Sequence, residues 1–315
     1  MDILGIDVSK NDFHACLLQQ SRQSTKSFPN GPAGYRQLQR WLNNRRCEHV
    51  HACMEATGSY WLQLATALFE AGMAVSVVNP SRTALFARSQ LRRTKTDHVD
   101  AEMIAQFCRT QSPPAWTPPP AQILELRGFL IYREHLVAQR VGLQQLSLQI
   151  SPIAELRRVH DRQVAELEQA IVRIEETMRT FLQRHPALAA WVDCLKAVQG
   201  FGFLSSAELA AWLPVERLRN EKAAVAYVGL APRERQSGTS IHGRPRICKI
   251  GSSRLRKVLY MPALAAMRHN PVMREFAERL RARGKPPKVI AVAVMRKLVV
   301  HAYHLLSRLP APQPA

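Results

Sequence analysis

Three things are scarce in this sequence, and each scarcity excludes something. Cysteine occurs six times in 315 residues (Cys16, Cys47, Cys53, Cys108, Cys194, Cys248) and never as C-x-x-C. That usage suits a reducing cytoplasm and excludes a disulfide framework. Apolar runs are short, and none reaches the roughly 18 residues that a membrane-spanning helix needs. Acid is scarce toward the end: Asp does not occur after Asp193, and from residue 211 onward five Glu face 21 Lys and Arg, a net +16. The opening MDILGIDVSK lacks the basic start and small-residue cleavage site of a secretory leader, so none is expected.

What is present points to a globular protein with a polyanionic partner. Hydrophobic residues make up 46% of the chain, enough to bury ordinary cores and to exclude disorder throughout. At about 150 residues per domain the length implies two domains, or three. The chain carries 44 Lys and Arg against 24 Asp and Glu, a formal charge of +20. Merely solvated surfaces mix both signs; a chain this basic calls for nucleic acid.

Residues 2–8 and 12–19 read as strands, with a short third strand near 26–28 after a polar turn. A helix follows over 34–43, a strand over 49–56, a helix over 61–71 capped by Gly72, and a buried strand over 74–78 stopped by Asn79-Pro80. Strands followed by strand–helix alternation give an α/β domain with a mixed sheet. A further helix opens at Thr96-Asp97. The stretch SPPAWTPPP (112–120) holds five prolines in nine residues and reads as a stiff linker. Beyond it, 121–150 and 153–184 are long helical segments. Val164, Leu167, Ile171, Ile174, Met178 and Phe181 form an a/d seam in the second. The seam fits a helical hairpin, an intermolecular coiled coil or packing within its own domain. The remainder reads as helical with Gly-rich interruptions. The expected domains are 1–112, a linker 113–120, a helical or coiled-coil domain 121–185, and a basic domain 186–315.

Four acids are candidates for holding a metal. Asp7 and Glu55 each close a strand, and Asp97 and Asp100 lie three apart on one face of a helix start. Hard oxygen ligands suit Mg2+ or Mn2+, and such ions serve phosphodiester chemistry. Taken singly, Asp97 and Asp100 would complement the helix dipole and Glu55 would cap a turn at Gly58. The stretch Cys47–Cys53 offers Cys and His ligands, but one short strand cannot wrap four of them around zinc, so a plain strand is the better reading.

The segment 233–259 sets small hydroxyl residues and glycines among eight Arg and Lys between Arg233 and Lys257. Glycines admit phosphate close to the backbone and arginines bind it bidentately. Arg233, Arg235, Thr239, Ser240, Arg244, Arg246, Lys249, Arg254, Arg256 and Lys257 are the candidate nucleic-acid contacts. Ser237 is a candidate for phosphate contact or nucleophilic attack, and with no general base evident nearby, chemistry alone favours contact. The turn VQGFG (198–202) is either a phosphate-binding helix-hairpin-helix turn or a plain Gly turn.

In order, GIDVSK, EATGSYW, NPSRTALFA, RTKTDHVDAEMIA and GLAPRERQSGTSIHGRPRICKIGSSRLRKVLYMPALAA resemble the DEDD-type insertion-sequence transposases of the insertion sequence 110 group, over nearly the whole chain. The resemblance implies an N-terminal α/β domain of RuvC-like, ribonuclease H-type fold, with Asp7, Glu55, Asp97 and Asp100 as Mg2+ (or Mn2+) ligands. It implies a coiled-coil insert and a mainly α C-terminal transposase domain, in which Ser237 forms a covalent phosphoserine with DNA. It further implies donor and target DNA and an element-encoded bridge RNA as partners. Dimers, a tetrameric synapse and an active site shared between subunits follow from the same likeness, in the cytoplasm of a prokaryote and at its nucleoid. Two other functions fit the residues: a metal-dependent junction or strand nuclease using water, and a non-enzymatic architectural protein with a degenerate site.

Overall fold

The computed structural model describes residues 1–20, 22–56, 58, 60–90, 97–150, 153–237 and 241–312. Contacts divide the chain into two compact units, Met1–Pro118 and Pro119–Ala315.

The first unit is built on a five-stranded mixed sheet. β1 (Asp2–Val8), β2 (Asp12–Gln19) and β3 (Arg22–Pro29) form an antiparallel meander, and β4 (Val50–Glu55) and β5 (Ala74–Val78) add in parallel beyond β1. The order is β3-β2-β1-β4-β5. Alternation along each strand sorts the side chains between two cores. Leu4, Ile6, Ala52 and Met54 pack under α1 (Pro32–Asn43) and α2 (Trp61–Glu70). Ile3, Cys16, Cys53 and Val78 pack under α4 (Asp97–Gln111), with Phe86 of α3 (Pro80–Ser89) beside them.

The expected α/β arrangement is present, with two differences. β3 starts at Arg22 rather than near 26, because Gln19 already pairs with Arg22 across a tight turn. Most of β3 is exposed, so the backbone ladder defines this edge strand and no apolar pattern marks it. α3 was not expected. Asn79-Pro80 looked like a strand stop, yet the Asn79 side chain accepts the Ser81 amide at 2.9 Å and Pro80 sits in the first turn. A helix start uses those two residues in the same way.

The proline-rich stretch packs on this unit as far as Trp116. The Ser76 hydroxyl faces the carbonyls of Pro113 and Pro114 at 3.0 and 2.9 Å. The Trp116 amide donates to Val75 at 2.6 Å, and its indole packs edge-on to Trp61.

In the second unit, α5 (Ala121–Ile150) and α6 (Ala154–Gln183) form an antiparallel hairpin. Its register follows from Arg133–Glu175 at 2.6 Å, Arg140–Glu168 at 3.9 Å, and the His160 ring on the Leu143 carbonyl at 2.9 Å. The seam residues Ile171, Met178 and Phe181 are buried within the chain. The inner ends of the hairpin join one core with α7 (Pro186–Lys196), α8 (Phe203–Trp212), α9 (Glu221–Val228), α10 (Ser253–His269), α11 (Pro271–Ala282) and α12 (Pro287–Leu306).

By length and composition α12 could cross a membrane, which the shortness of the unbroken apolar runs did not announce. In the fold Val294, Leu298, Val299, Ala302 and Leu306 bury one side of it in the core, while Arg296 and Lys297 at its middle are exposed.

The remainder is mainly helical as expected, and one of its Gly-rich interruptions holds strands. β6 (Pro232–Ser237) and β7 (Ile241–Ile247) pair as an antiparallel hairpin. Arg, Glu, Gln, Gly and Pro fill these segments, so no apolar alternation announces them. The register shifts between Arg233 and Arg235, opposite the stretch containing Pro245, which has no amide to give to a ladder.

Candidate active site

The parallel register pairs Gly5 with Cys53 and Ile6 with Met54. Extended by one residue, it sets Asp7 beside Glu55 at the carboxyl edge of the sheet, on strands about 4.8 Å apart. Both stand two residues beyond positions that pack under α4, so both belong to the α4 face. The Thr83 hydroxyl of α3 donates to Glu55 Oε1 at 2.5 Å and also to the Pro80 carbonyl. Thr83 is buried, and sequence reasoning missed it together with its helix; the signal was the Asn79 cap.

α4 runs from this edge back across the sheet. Ala101 and Ala105 meet Gly5, while Cys108 reaches Cys53 and His51 farther along. Asp97 and Asp100 therefore begin the helix at the end where Asp7 and Glu55 stand. Asp100 is half-buried, and the Asp97 side chain lies outside the described residues. Among the described residues no three His, Cys, Asp or Glu are placed to hold an ion. The carboxylate oxygens on this edge are of the type that fits a hard divalent cation, and His14 stands opposite Asp7 in the ladder.

Below the acids lies a buried polar cluster. His51 Nε2 is 2.8 Å from the Ser76 hydroxyl. Hydrogen bonds from Cys53 and His51 hold the Cys108 thiol down to about 6, against the effect of burial. The bond to Cys108 and burial push Cys53 up. These contacts tie α4 to β4 beneath the carboxylates.

In the second unit Ser237 is the last residue of β6 and pairs with Ile241; Arg233 and Arg235 precede it at alternate positions. Arg233 and Lys249 are exposed. Thr239 and Ser240 lie outside the described residues, as do the side chains of Arg235, Ser237, Arg244 and Arg246. Three of the expected phosphate contacts have work inside the fold. Arg254 grips Glu208 with two bonds of 2.7 Å and Glu134 with one of 2.9 Å. Lys257 reaches Glu134 at 2.6 Å. Arg256 donates to the Val228 and Gly251 carbonyls at 2.9 and 3.2 Å. Phosphate at Arg254 would have to displace carboxylates, whereas the Lys257 side chain is about three-quarters exposed.

The turn at 198–202 is partly closed to ligands. Gly200, at φ +118°, presses on α10, where a Cβ would lie 2.7 Å from that of Ala266. The Gly202 amide is taken by the Ser205 hydroxyl at 2.9 Å.

Comparison with known proteins finds two family models along the chain. A family model described as "Transposase" (DEDD type, IS110) matches residues 4–151, and one described as "Transposase IS116/IS110/IS902 family" matches residues 192–278. The pilin gene-inverting protein of Moraxella bovis is 30% identical over 311 residues, covering 96% of this chain and 95% of that protein. The chain belongs to the IS110 family of transposases. The pilin gene-inverting protein of Moraxella lacunata matches at the same identity and coverage. An insertion element IS110 protein of Streptomyces coelicolor is 29% identical over 146 residues, 44% of this chain and 35% of that one. Thermus thermophilus RuvC aligns with 37% of this chain and all of its own length, at 15% identity and a TM-score of 0.26, a likeness too slight to carry a fold assignment. As an IS110-family transposase, the chain is a DNA recombination enzyme. The first family match spans Asp7, Glu55, Asp97 and Asp100, and the second spans Ser237.

Proposed function

We propose that this transposase is an RNA-guided, site-specific recombinase that cuts and rejoins DNA through a phosphoserine on Ser237. A divalent metal centre on Asp7, Glu55, Asp97 and Asp100 assists it. The observation that carries the reading is the parallel register of β1 and β4, which runs to Ile6–Met54 and so brings Asp7 and Glu55, the next residues, to one sheet edge, with α4 beginning in two more acids. Carboxylate oxygens gathered at one sheet edge are the donor type that a hard divalent ion takes. Mg2+ or Mn2+ bound there would stabilise charge on phosphate oxygens.

The chain's own residues do the rest. The Ser237 oxygen bonds to phosphorus as the bond from phosphorus to one DNA oxygen breaks; the serine loses a proton and the leaving oxygen gains one. Rejoining reverses the exchange. Arg233, Arg235, Arg244, Arg246 and Lys249 bind the flanking phosphates, with Thr239 and Ser240 as hydroxyl contacts. Arg254, Arg256 and Lys257 hold the second unit's framework and contribute field more than contact.

The family resemblance supports a RuvC-like first domain, a coiled-coil region and a C-terminal transposase domain; proline content, helical spacing and charge set their extents at 1–112, a linker over 113–120, 121–185 and 186–315. It equally supports dimers, a tetramer on DNA, an active site completed between subunits, a bridge RNA pairing with donor and target, and action at the nucleoid.

Ser237→Ala tests the central claim. Expected are loss of covalent protein–DNA adducts and of strand exchange, with DNA binding retained. Free-ended products made equally well by the variant would establish a water-using nuclease instead. Sequencing the RNA that co-purifies with the protein tests guidance; RNA unrelated to the element's ends and target would overturn that part.

A further inference from the structure

We infer that the groove between α11 and α12 is a second nucleic-acid site, shaped for an unpaired DNA strand and separate from the β6–β7 hairpin. The inference rests on the recombinase reading, because strand exchange is what exposes unpaired DNA here. The groove has a volume of about 520 Å3. Met273, Phe276, Ala293 and Val300 line it with apolar surface; Arg296, Lys297, His301 and His304 bring four basic side chains to it.

No carboxylate lines this groove, and among the described residues Arg296 and Lys297 are in no ion pair. Both are exposed. The surrounding sequence deepens the imbalance. From Arg268 to Arg308 there are ten Lys and Arg against Glu275 and Glu278 alone, and Glu275 lies 3.8 Å from Arg279. The larger groove among α5, α8 and α10 makes a useful contrast. It is also lined by basic residues, but Glu134, Glu175 and Glu208 answer Arg133, Arg254 and Lys257 there.

The composition of the α11–α12 groove selects among polyanions. A duplex presents phosphates and hides its base faces, so it would use the cations and leave the apolar floor idle. An unpaired strand offers phosphates together with bare base faces, and aromatic floors with cationic rims hold such strands. Lys297 Nζ lies 4.6 Å from the centre of the Phe276 ring, so this ring face is within reach of a cation, and a stacked base would take the place of the ammonium there and leave it free for a phosphate. A base stacked on Phe276 would set its neighbouring phosphates within the field of Lys297 and Arg296.

The test uses the full chain and short fluorescent oligonucleotides of one sequence, as single-stranded DNA, single-stranded RNA and duplex DNA. Phe276→Leu removes the aromatic face and keeps apolar volume; Phe276→Tyr keeps the face. Arg296→Glu with Lys297→Glu changes only exposed positions and guards against misfolding of the Phe276 variants. Single-stranded DNA affinity should fall about tenfold in Phe276→Leu and in the double variant, and hold in Phe276→Tyr, the order expected for one lost stack. Replacing the two cations should also flatten the salt dependence, by about 0.7 in the logarithmic slope for each phosphate no longer neutralised. Duplex affinity should stay within about twofold. Unchanged single-strand affinity, or an equal loss for duplex, overturns the inference; a loss confined to RNA reassigns the groove to RNA and overturns the DNA claim. Covalent adducts are scored on the same samples. Their absence from the unsubstituted protein sinks the Ser237 reading, and the binding comparison still decides the groove.

Discussion

Gly5 of β1 and Ala101 of α4 meet backbone to backbone. A Cβ on Gly5 would lie 2.2 Å from the Ala101 carbonyl oxygen and 2.3 Å from the Ala105 amide nitrogen. The helix that begins with Asp97 and Asp100 is thereby pressed onto the sheet two residues before Asp7. The glycine in GIDVS is required by this contact, since its backbone lies in an ordinary strand.

Gly5→Ala should therefore lift α4 from the sheet. An overpacked methyl of this kind costs about 1–3 kcal/mol, and the start of α4 would shift against the sheet edge that carries Asp7 and Glu55. Thermal denaturation and divalent-metal-dependent DNA cleavage read the two effects. A variant unchanged in both would show that the contact relaxes freely.

Thr83 positions Glu55 through its hydroxyl. Thr83→Val keeps the shape and removes the bond, so the concentration of Mn2+ needed for cleavage should rise roughly 10–100-fold, the range seen when a group supporting a metal ligand is lost. Asp7→Asn should abolish cleavage outright with the fold intact by circular dichroism. Cleavage surviving Asp7→Asn would favour a protein whose carboxylates serve only its architecture.

Arg254 joins α10 to α8 through Glu208 and to α5 through Glu134. Its side chain is about four-fifths buried. Arg254→Ala leaves the Glu208 carboxylate enclosed without its partner, at a cost of about 2–3 kcal/mol after allowing for partial exposure. Urea unfolding of the full chain measures it. If phosphate binding were the only role of Arg254, the midpoint would not move.

The hydrogen bond from Lys257, aided by the charge of Arg254 and opposed by burial, holds the Glu134 carboxyl below its ordinary range. A carboxyl depressed in the folded state stabilises above its unfolded pKa, and that stability is lost as the pH falls through the folded value. Glu134→Gln should thus be less stable than the parent protein at neutral pH and should lose less on acidification from about pH 5 to pH 3. Parallel stability curves for the two proteins would refute the assignment.

The first unit was largely legible because its chemistry is local. Apolar strands announce β1, β2, β4 and β5, and the acids that end β1 and β4 could be named from spacing. α3 was hidden because Asn-Pro stops a strand and starts a helix with the same two residues. The β6–β7 hairpin was hidden because its side chains are nearly all polar, so that only backbone pairing distinguishes it from a loop. The a/d seam of α6 could not choose its partner, since the same stripe serves α5, another chain or a core.

By itself the sequence determined which residues carry usable chemistry: four carboxylates, the hydroxyls of Ser237, Thr239 and Ser240, and an Asp-free basic third. Charge and hydrogen-bonding capacity belong to side chains wherever they lie. Only the tertiary structure decided which are neighbours and which are already engaged. The parallel register sets Asp7 beside Glu55, Thr83 arrives from a helix the pattern did not show, and Arg254 and Arg256 turn inward to carboxylates and carbonyls. Scarcity of acid does not leave every arginine free, because half-buried Glu134 and Glu208 and the backbone carbonyls of Val228 and Gly251 hold the best-placed ones.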